Sequence, residues 1–368
     1  MPYLIFLIRL CAFAIGVLVV YVALLSAIRT FLLPRAAPDP ITNVVFIGLR
    51  RMFNVWLKTM RSYKERDHAM AYYGPVSILL LLAAWLGLVL GGYTLLYWAI
   101  EVQVFGFDPW LSAFTVSGSS LFTLGYAVVD TLPEKLLSFS EAAMGPLLIA
   151  LLIGYMPTIY GAFSKREALV NLLEVRAGSP PSATDLIIRF YRLHGPERIG
   201  EMWVTWEAWF SELEETHTSL PMLNFFRSPN RDHSWVTASG AVLDAAALSI
   251  AAVDIPTTVQ ASLCLRAGYL ALRSIADFFS IYYDPDPSPT DVISVTQAEF
   301  EHALDILASE GVPLKPDRSR AWQAWSGWRV NYDTVLLALA RLTMAPPAPW
   351  SSPEMREQRH PPATGRGS

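Results

Sequence analysis

The chain has 368 residues, 53 % of them hydrophobic and only 16 % charged, with a formal net charge of −4; its mean hydropathy is +0.35 and its pI about 5.9. Soluble domains carry about 25 % charged residues. The composition therefore excludes a disordered chain, a coiled coil and an ordinary soluble enzyme, and the acidic balance excludes a nucleic-acid binder.

Charge is unevenly placed: residues 1–163 hold 10 Lys/Arg and 8 Asp/Glu, whereas residues 164–368 hold 18 and 24. The break coincides with the end of the apolar stretches and predicts a membrane half followed by a soluble half. Within residues 1–34, Leu10–Ile28 carries no charge. It exceeds the apolar core of a signal peptide, about 7–15 residues, and no small-residue cleavage site follows it, so it reads as an N-terminal transmembrane helix. Cys11 lies in this stretch and Cys264 in a distant helical pattern. Their separation fits no disulfide framework, zinc ribbon or redox motif, and both read as buried thiols.

Residues 35–74 form a linker in which Val45, Leu49, Phe53, Trp56 and Met60 recur at helical spacing, with Arg50, Lys58 and Arg61 between them. This pattern predicts an amphipathic helix lying on the inner leaflet. Val76–Ile100 and Ala142–Phe163 are the second and third uncharged stretches. Each is long enough, at a rise of ~1.5 Å per residue, to cross a hydrocarbon core of ~30 Å. The linker carries Arg35, Arg50, Arg51, Lys58, Arg61, Lys64 and Arg66. The segment 101–134 carries Glu101, Asp108, Asp130 and Glu134 and no basic residue. The positive-inside rule then describes a multi-pass cell-membrane protein with its N-terminus outside and everything after residue 163 cytoplasmic.

The segment between the second and third spans is the most informative. Asp108-Pro109 is a helix start, an N-cap acid followed by proline at the first helical position. The run from Trp110 to Phe122 that follows is too short to span and too apolar for a free loop. Thr123-Leu124-Gly125-Tyr126-Ala127 comes directly after it. A half-length helix returning by a short strand is tolerated in a membrane only where protein or water surrounds it. The negative end of its dipole, and backbone carbonyls replacing a hydration shell, favour a cation. Gly125 supplies permissive dihedrals and Thr123 a hydroxyl ligand, and flanking acids such as Asp130 concentrate cations at the outer mouth.

Span, re-entrant helix, Thr-Leu-Gly-Tyr-Ala and span together resemble the pore module of the potassium channel family, whose filter reads T-V-G-Y-G. The resemblance covers residues 75–163. It implies a selectivity filter at Thr123, Leu124, Gly125, Tyr126 and Ala127, with potassium as the permeant ion. It also implies a cyclic homotetramer, because one pore loop cannot enclose an axis. The third span becomes the pore-lining inner helix, with Gly145, Gly154 and Pro157 as hinge and gate positions. The sequence departs from the family at Ala127, which replaces the second filter glycine, and at Val128, which stands where the family has Asp. A left-handed Ala127 would cost ~1–2 kcal/mol and reshape the outermost ion site.

Residues 164–344 read as helices throughout: Ser182–Leu193, Pro196–Thr218, His233–Val253, Pro256–Tyr283, Pro289–Gly311 and Pro316–Met344. Trp203, Trp206 and Trp209, and again Trp322, Trp325 and Trp328, form stripes expected in a core or subunit contact. There is no dinucleotide fingerprint and no voltage sensor. Glu214-x-x-His217 and Glu299-x-x-His302 have the spacing used in di-iron bundles; the alternative is that all four are solvated or capping residues. Residues 345–368, rich in proline, read as a disordered tail.

The expected fold is an all-α membrane protein: a potassium-channel-like pore module with an extra N-terminal transmembrane helix and a cytoplasmic all-helical domain. The expected function is that of a tetrameric cation channel, not an enzyme, with no cofactor beyond the permeant potassium ion. Its partners are the lipid bilayer, further copies of itself and an unidentified cytoplasmic ligand, with no nucleic acid. The alternative is a membrane-anchored helical signalling or scaffold protein whose pore-like module does not conduct.

Overall fold

The computed structural model of the protein describes residues 2–33, 39–60, 62–104, 106–195, 199–255 and 259–351. Among these residues the regular elements are helices, apart from one isolated antiparallel bridge between Val253 and Leu314. The contacts divide the chain into two compact units, Met1–Tyr160 and Gly161–Ser368, each with its own hydrophobic core.

The first unit contains α1 (Pro2–Phe31), α2 (Pro40–Leu57), α3 (Tyr63–Ala71), α4 (Tyr73–Ala99), α5 (Pro109–Leu121) and the first part of α6 (Leu132–Ala177). Three stretches are long and apolar enough to cross a membrane: Tyr3–Phe31, Tyr63–Ala99 and Leu132–Ala177. They cover the three expected spans except Ile100, which caps α4, and each helix starts before its apolar run. In α1 the extension takes in Arg9, which pairs with Glu101 just past α4. Cys11, expected to be buried, is exposed on α1. That helix buries only a narrow stripe, Val20, Ala23, Ser26 and Ala27, and leaves most of its large apolar side chains outside.

The stripe faces α4. A Cβ on Gly16 would stand 2.7 Å from the Gly92 carbonyl, and one on Gly92 would stand 2.7 Å from Val20. The backbones approach as closely as small residues allow, a packing mode typical between membrane helices. The Trp85 indole donates to Ser26 Oγ at 2.9 Å, and Ser26 donates to Asp39, the N-cap of α2, at 2.6 Å. The pairs Arg9–Glu101, Gly16–Gly92 and Ser26–Trp85 run in opposite senses along the two helices, so α1 and α4 are antiparallel. The N-terminal helix is thus an integral part of this core.

The expected interfacial helix is two helices, α2 and α3. Leu49, Phe53 and Leu57 are buried, with Phe53 edge-on to Tyr73 at 5.4 Å, while Trp56 is exposed. Met60 lies past the end of α2, so the amphipathic stripe is shorter than its sequence spacing implied. Arg35 and Arg61 of the expected basic loop lie outside the described residues.

The second unit holds the end of α6, then α7 (Ala183–His194), α8 (Ile199–Ser219), a short 3-10 turn (Pro221–Phe225), α9 (Trp235–Ala251), α10 (Val259–Phe278), α11 (Gln297–Ser309), α12 (Arg318–Arg329) and α13 (Asp333–Thr343). Its centre is α9, buried along nearly its whole length. That explains why this helix is very apolar yet too short to span. Trp203, Trp206, Trp209 and Trp325 are core residues, as their spacing predicted; Trp322 and Trp328 are partly exposed against the same core.

Two of the expected helices have other boundaries. Helix 289–311 starts only at Gln297, where Thr296 and Glu299 form a reciprocal capping box. Helix 316–344 is broken at residues 330–332, where Arg273 donates to the Asn331 carbonyl at 2.9 Å; neither Pro nor Gly marks the break. The helix starts expected at Pro196 and Pro256 lie outside the described residues.

Residues 345–351, expected to belong to a disordered tail, are described and pack on the core. Ala348 and Ser351 are buried, and Trp350 packs on Trp325 at 5.2 Å. Residues 352–368 lie outside the described residues. A buried ion cluster closes this core: Arg329 donates to Asp244 Oδ1 at 2.5 Å, to Asp333 Oδ1 at 2.8 Å and to the Trp350 carbonyl at 2.5 Å, and Tyr332 donates to Asp244 at 2.8 Å. Burial works against the Arg329 charge, but Asp244 and Asp333 outweigh it and raise the Arg329 pKa above the ordinary arginine value.

Candidate functional site, the segment from Asp108 to Glu141

Helix α5 forms where the sequence placed it. Asp108 caps it, accepting from the Trp110 and Leu111 amides at 2.9 and 3.1 Å, and Pro109 fills the first turn. Ala113 and Val116 join the core of the first unit, while Trp110, Leu111 and Phe114 stay exposed.

The chain after α5 is not a strand. Thr123 has φ +54° and Gly125 φ +71°, so two left-handed residues alternate with ordinary ones. The Ser119 carbonyl accepts from the Leu124 and Gly125 amides at 2.8 and 3.4 Å, and Ser119 Oγ accepts from the Ala127 amide at 3.1 Å. On the far side, Glu134 Oε2 accepts from the Asp130 and Thr131 amides, both at 3.1 Å. These contacts draw the backbone into a chain of turns, because the amides find partners at the ends of α5 and α6 rather than on a neighbouring strand. Side chains then alternate: Leu124, Tyr126 and Val128 are 63, 63 and 78 % exposed, while Ala127 and Val129 pack on the core.

Of the expected filter residues, Thr123, Leu124, Gly125 and Tyr126 sit together on this exposed stretch. The Thr123 hydroxyl donates to the Phe122 carbonyl at 2.8 Å. Ala127 does not take the left-handed conformation considered for it. It is absent from the left-handed residues and faces inward, so the methyl group carries no left-handed strain. Asp130 is exposed two residues before α6.

The expected inner helix, 142–163, lies within an unbroken α6 that contains Pro146 and Pro157. Gly145 has a reason other than hinging: a Cβ there would overlap the Leu121 carbonyl oxygen, so α6 passes the end of α5 at backbone contact. Gly154 has open space around it. Overpacking against backbone costs about 1–3 kcal/mol, so Gly145→Ala is expected to lower the thermal midpoint of the detergent-solubilised protein. Gly154→Ala should leave the midpoint level or raise it, since alanine is the better helix former; equal midpoints for the two variants would contradict the close approach.

Sequence reasoning missed the layer behind the loop. Ser117 Oγ lies 2.5 Å from Glu141 Oε1 and 3.1 Å from the Leu90 carbonyl oxygen. Ser120 and Ser138 share a hydrogen bond of 2.8 Å, and Tyr93 and Ser140 one of 2.9 Å. Glu141 is fully buried. The available signal was a lone acid directly before an uncharged span, among serines without helical periodicity.

The two Glu-x-x-His motifs do not converge. Glu214 accepts from Ser274 at 2.6 Å, and Glu299 is spent in its capping box. His217 is buried, with Nδ1 2.9 Å from the Leu213 carbonyl and Nε2 3.3 Å from Arg166 Nη1. Burial first, then the Arg166 charge, pushes its pKa well below the ordinary value, so the ring is neutral. His302 is exposed beside a cavity of about 170 Å³ lined also by Ser182, Thr184 and Trp350. Among the described residues no three His, Cys, Asp or Glu come together, so the di-metal arrangement is set aside. Comparison of the chain with protein-family models, curated proteins and solved structures gives no match.

Proposed function

We propose that the protein is a cation channel, selective for potassium in kind, assembled as a homotetramer in a cell membrane. The observation that carries this reading is the pairing of a short capped helix with an exposed loop, left-handed at Thr123 and Gly125, between two helices long enough to span. Alternating left-handed and ordinary residues turn successive carbonyls toward one side, which a row of ion sites requires. The exposed Leu124, Tyr126 and Val128 would be covered by neighbouring copies around an axis. In this reading α4 is the outer helix, α6 the inner helix, and the antiparallel α1 places the N-terminus on the side of the loop. The basic residues Arg50, Arg51, Lys58, Lys64 and Arg66 gather at the other ends of α1 and α4, which makes that side cytoplasmic. The second unit, which begins within α6, is assigned to assembly or gating in response to a cytoplasmic ligand.

Ala127 sets the expected selectivity. Its amide is held by Ser119 and its methyl group by the core, which withdraws position 127 from the outermost ring of carbonyls. Potassium should be preferred over sodium less strongly than through a T-V-G-Y-G filter, and Ala127→Gly should sharpen the preference. Reversal potentials under bi-ionic potassium/sodium conditions measure it. Strong selectivity in the wild type, unchanged in Ala127→Gly, would contradict the assignment.

A further inference from the structure

The layer between α4, α5 and α6 contains a carboxyl group with an unusual set of neighbours. Glu141 is fully buried, and among the described residues no basic side chain touches it. An isolated carboxylate in such a place is strongly disfavoured, so the group must take up a cation or a proton. The spacing excludes a cation bound between Glu141 and its serine neighbour. Two oxygens 2.5 Å apart, Glu141 Oε1 and Ser117 Oγ, are at the separation of a short O–H···O hydrogen bond and leave no room for a metal ion between them.

The hydrogen count leads to the same result. Ser117 has one hydroxyl proton but faces two oxygens, Glu141 Oε1 and the Leu90 carbonyl at 3.1 Å. A carbonyl has no proton to give. With Glu141 ionised, that single proton must be shared between the two oxygens, which weakens both contacts. With Glu141 protonated, the acid donates to Ser117 and Ser117 donates to Leu90, so a continuous chain joins α6 through α5 to α4. The other carboxyl oxygen, Oε2, is buried without a hydrogen bond, as is the Tyr97 hydroxyl, which faces Glu141, Ser120 and Ser138 from α4.

We infer that Glu141 and Ser117, with Tyr97 beside them, form a proton-binding site that fixes α5 between its two neighbours. Ser119, two residues after Ser117, holds the amides of Leu124, Gly125 and Ala127, so the bound proton also positions the loop. Glu141 is a positioning residue and touches no ion. The groups facing it are few: Tyr93 and Tyr97 from α4, no titratable side chain from α5, and Glu134 and Lys135 one to two turns away on α6 itself. Loss of the proton at alkaline pH leaves a buried charge, breaks the chain at Ser117 and releases the loop.

The test uses the full-length protein in lipid vesicles and reads the infrared carbonyl stretch of protonated carboxylic acids. At neutral pH the wild type should show such a band, downshifted in deuterium oxide and missing from Glu141→Gln. Ser117→Ala, which only removes the partner, should shift the band to higher frequency and keeps the test valid if Glu141→Gln folds poorly. Potassium flux supplies the positioning readout, and this part rests on the channel reading. Wild-type flux should fall severalfold as alkali removes the band, while the flux of Glu141→Gln, whatever its level, should not change over that range. A wild type without the band at neutral pH, or a band that persists in Glu141→Gln, would overturn the site. A band that behaves as expected in vesicles carrying no flux at any pH would uphold the site and refute the channel reading instead.

Discussion

Gly125→Ala is expected to abolish potassium flux while leaving the assembled protein intact. Gly125 has φ +71°, and nothing lies within 4 Å of the position a Cβ would take, so the obstacle is conformational rather than spatial. An L-residue held left-handed costs ~1–2 kcal/mol, and in a tetramer that cost is repeated in each subunit around one axis. Relief comes by rotating the peptide, which also gives up the 3.4 Å contact of the Gly125 amide to Ser119. The core of the first unit does not include residue 125, so folding and assembly should survive. The measurement is flux from proteoliposomes alongside size-exclusion chromatography. Wild-type flux from a correctly assembled Gly125→Ala protein would remove position 125 from the ion path.

In the second unit the largest loss should come from Arg329→Leu. Arg329 is fully buried and satisfies Asp244, Asp333 and the Trp350 carbonyl together. Removing it leaves two carboxylates facing each other without a counter-charge, and breaking a buried pair in this way costs about 3–5 kcal/mol. In a domain of this size 1 kcal/mol corresponds to roughly 2–4 °C of melting temperature. The fall should be around 10 °C, measured by tryptophan fluorescence, with Trp325 beside Trp350 among the reporters. Asp333 also accepts from the Ser294 amide at 2.8 Å, so the damage should reach the loop before α11. A melting temperature within a degree or two of the wild type would show that the cluster is not closed in solution.

The helices of the membrane half were legible because their signals are local. A long uncharged run needs no partner to be read, and Asp108-Pro109 announces a helix start by itself. Proline-led starts in the second half were less reliable. Pro289 opens a loop, because the capping box at Thr296 and Glu299 outweighs it. The break between α12 and α13 was invisible in sequence, since the contact that fixes it comes from Arg273, far away in the chain. The same holds for the loop after α5. Its residues were recognisable by type, but its turns depend on Ser119 and Glu134, whose roles appear only when both ends of the loop are in place. Gly145 was identified as a special position but explained as a hinge; its neighbour Leu121 belongs to another helix, and no spacing within α6 reveals it.

We propose that the loop from Thr123 to Ala127 conducts cations. Its most direct test is potassium flux from vesicles reconstituted with the purified full-length protein alone, driven by a potassium gradient and compared with protein-free vesicles. The account predicts a protein-dependent potassium flux, larger than the sodium flux under the matched gradient and lost in Gly125→Ala. No flux above the protein-free control, from protein shown to be folded and assembled in the bilayer, would contradict it.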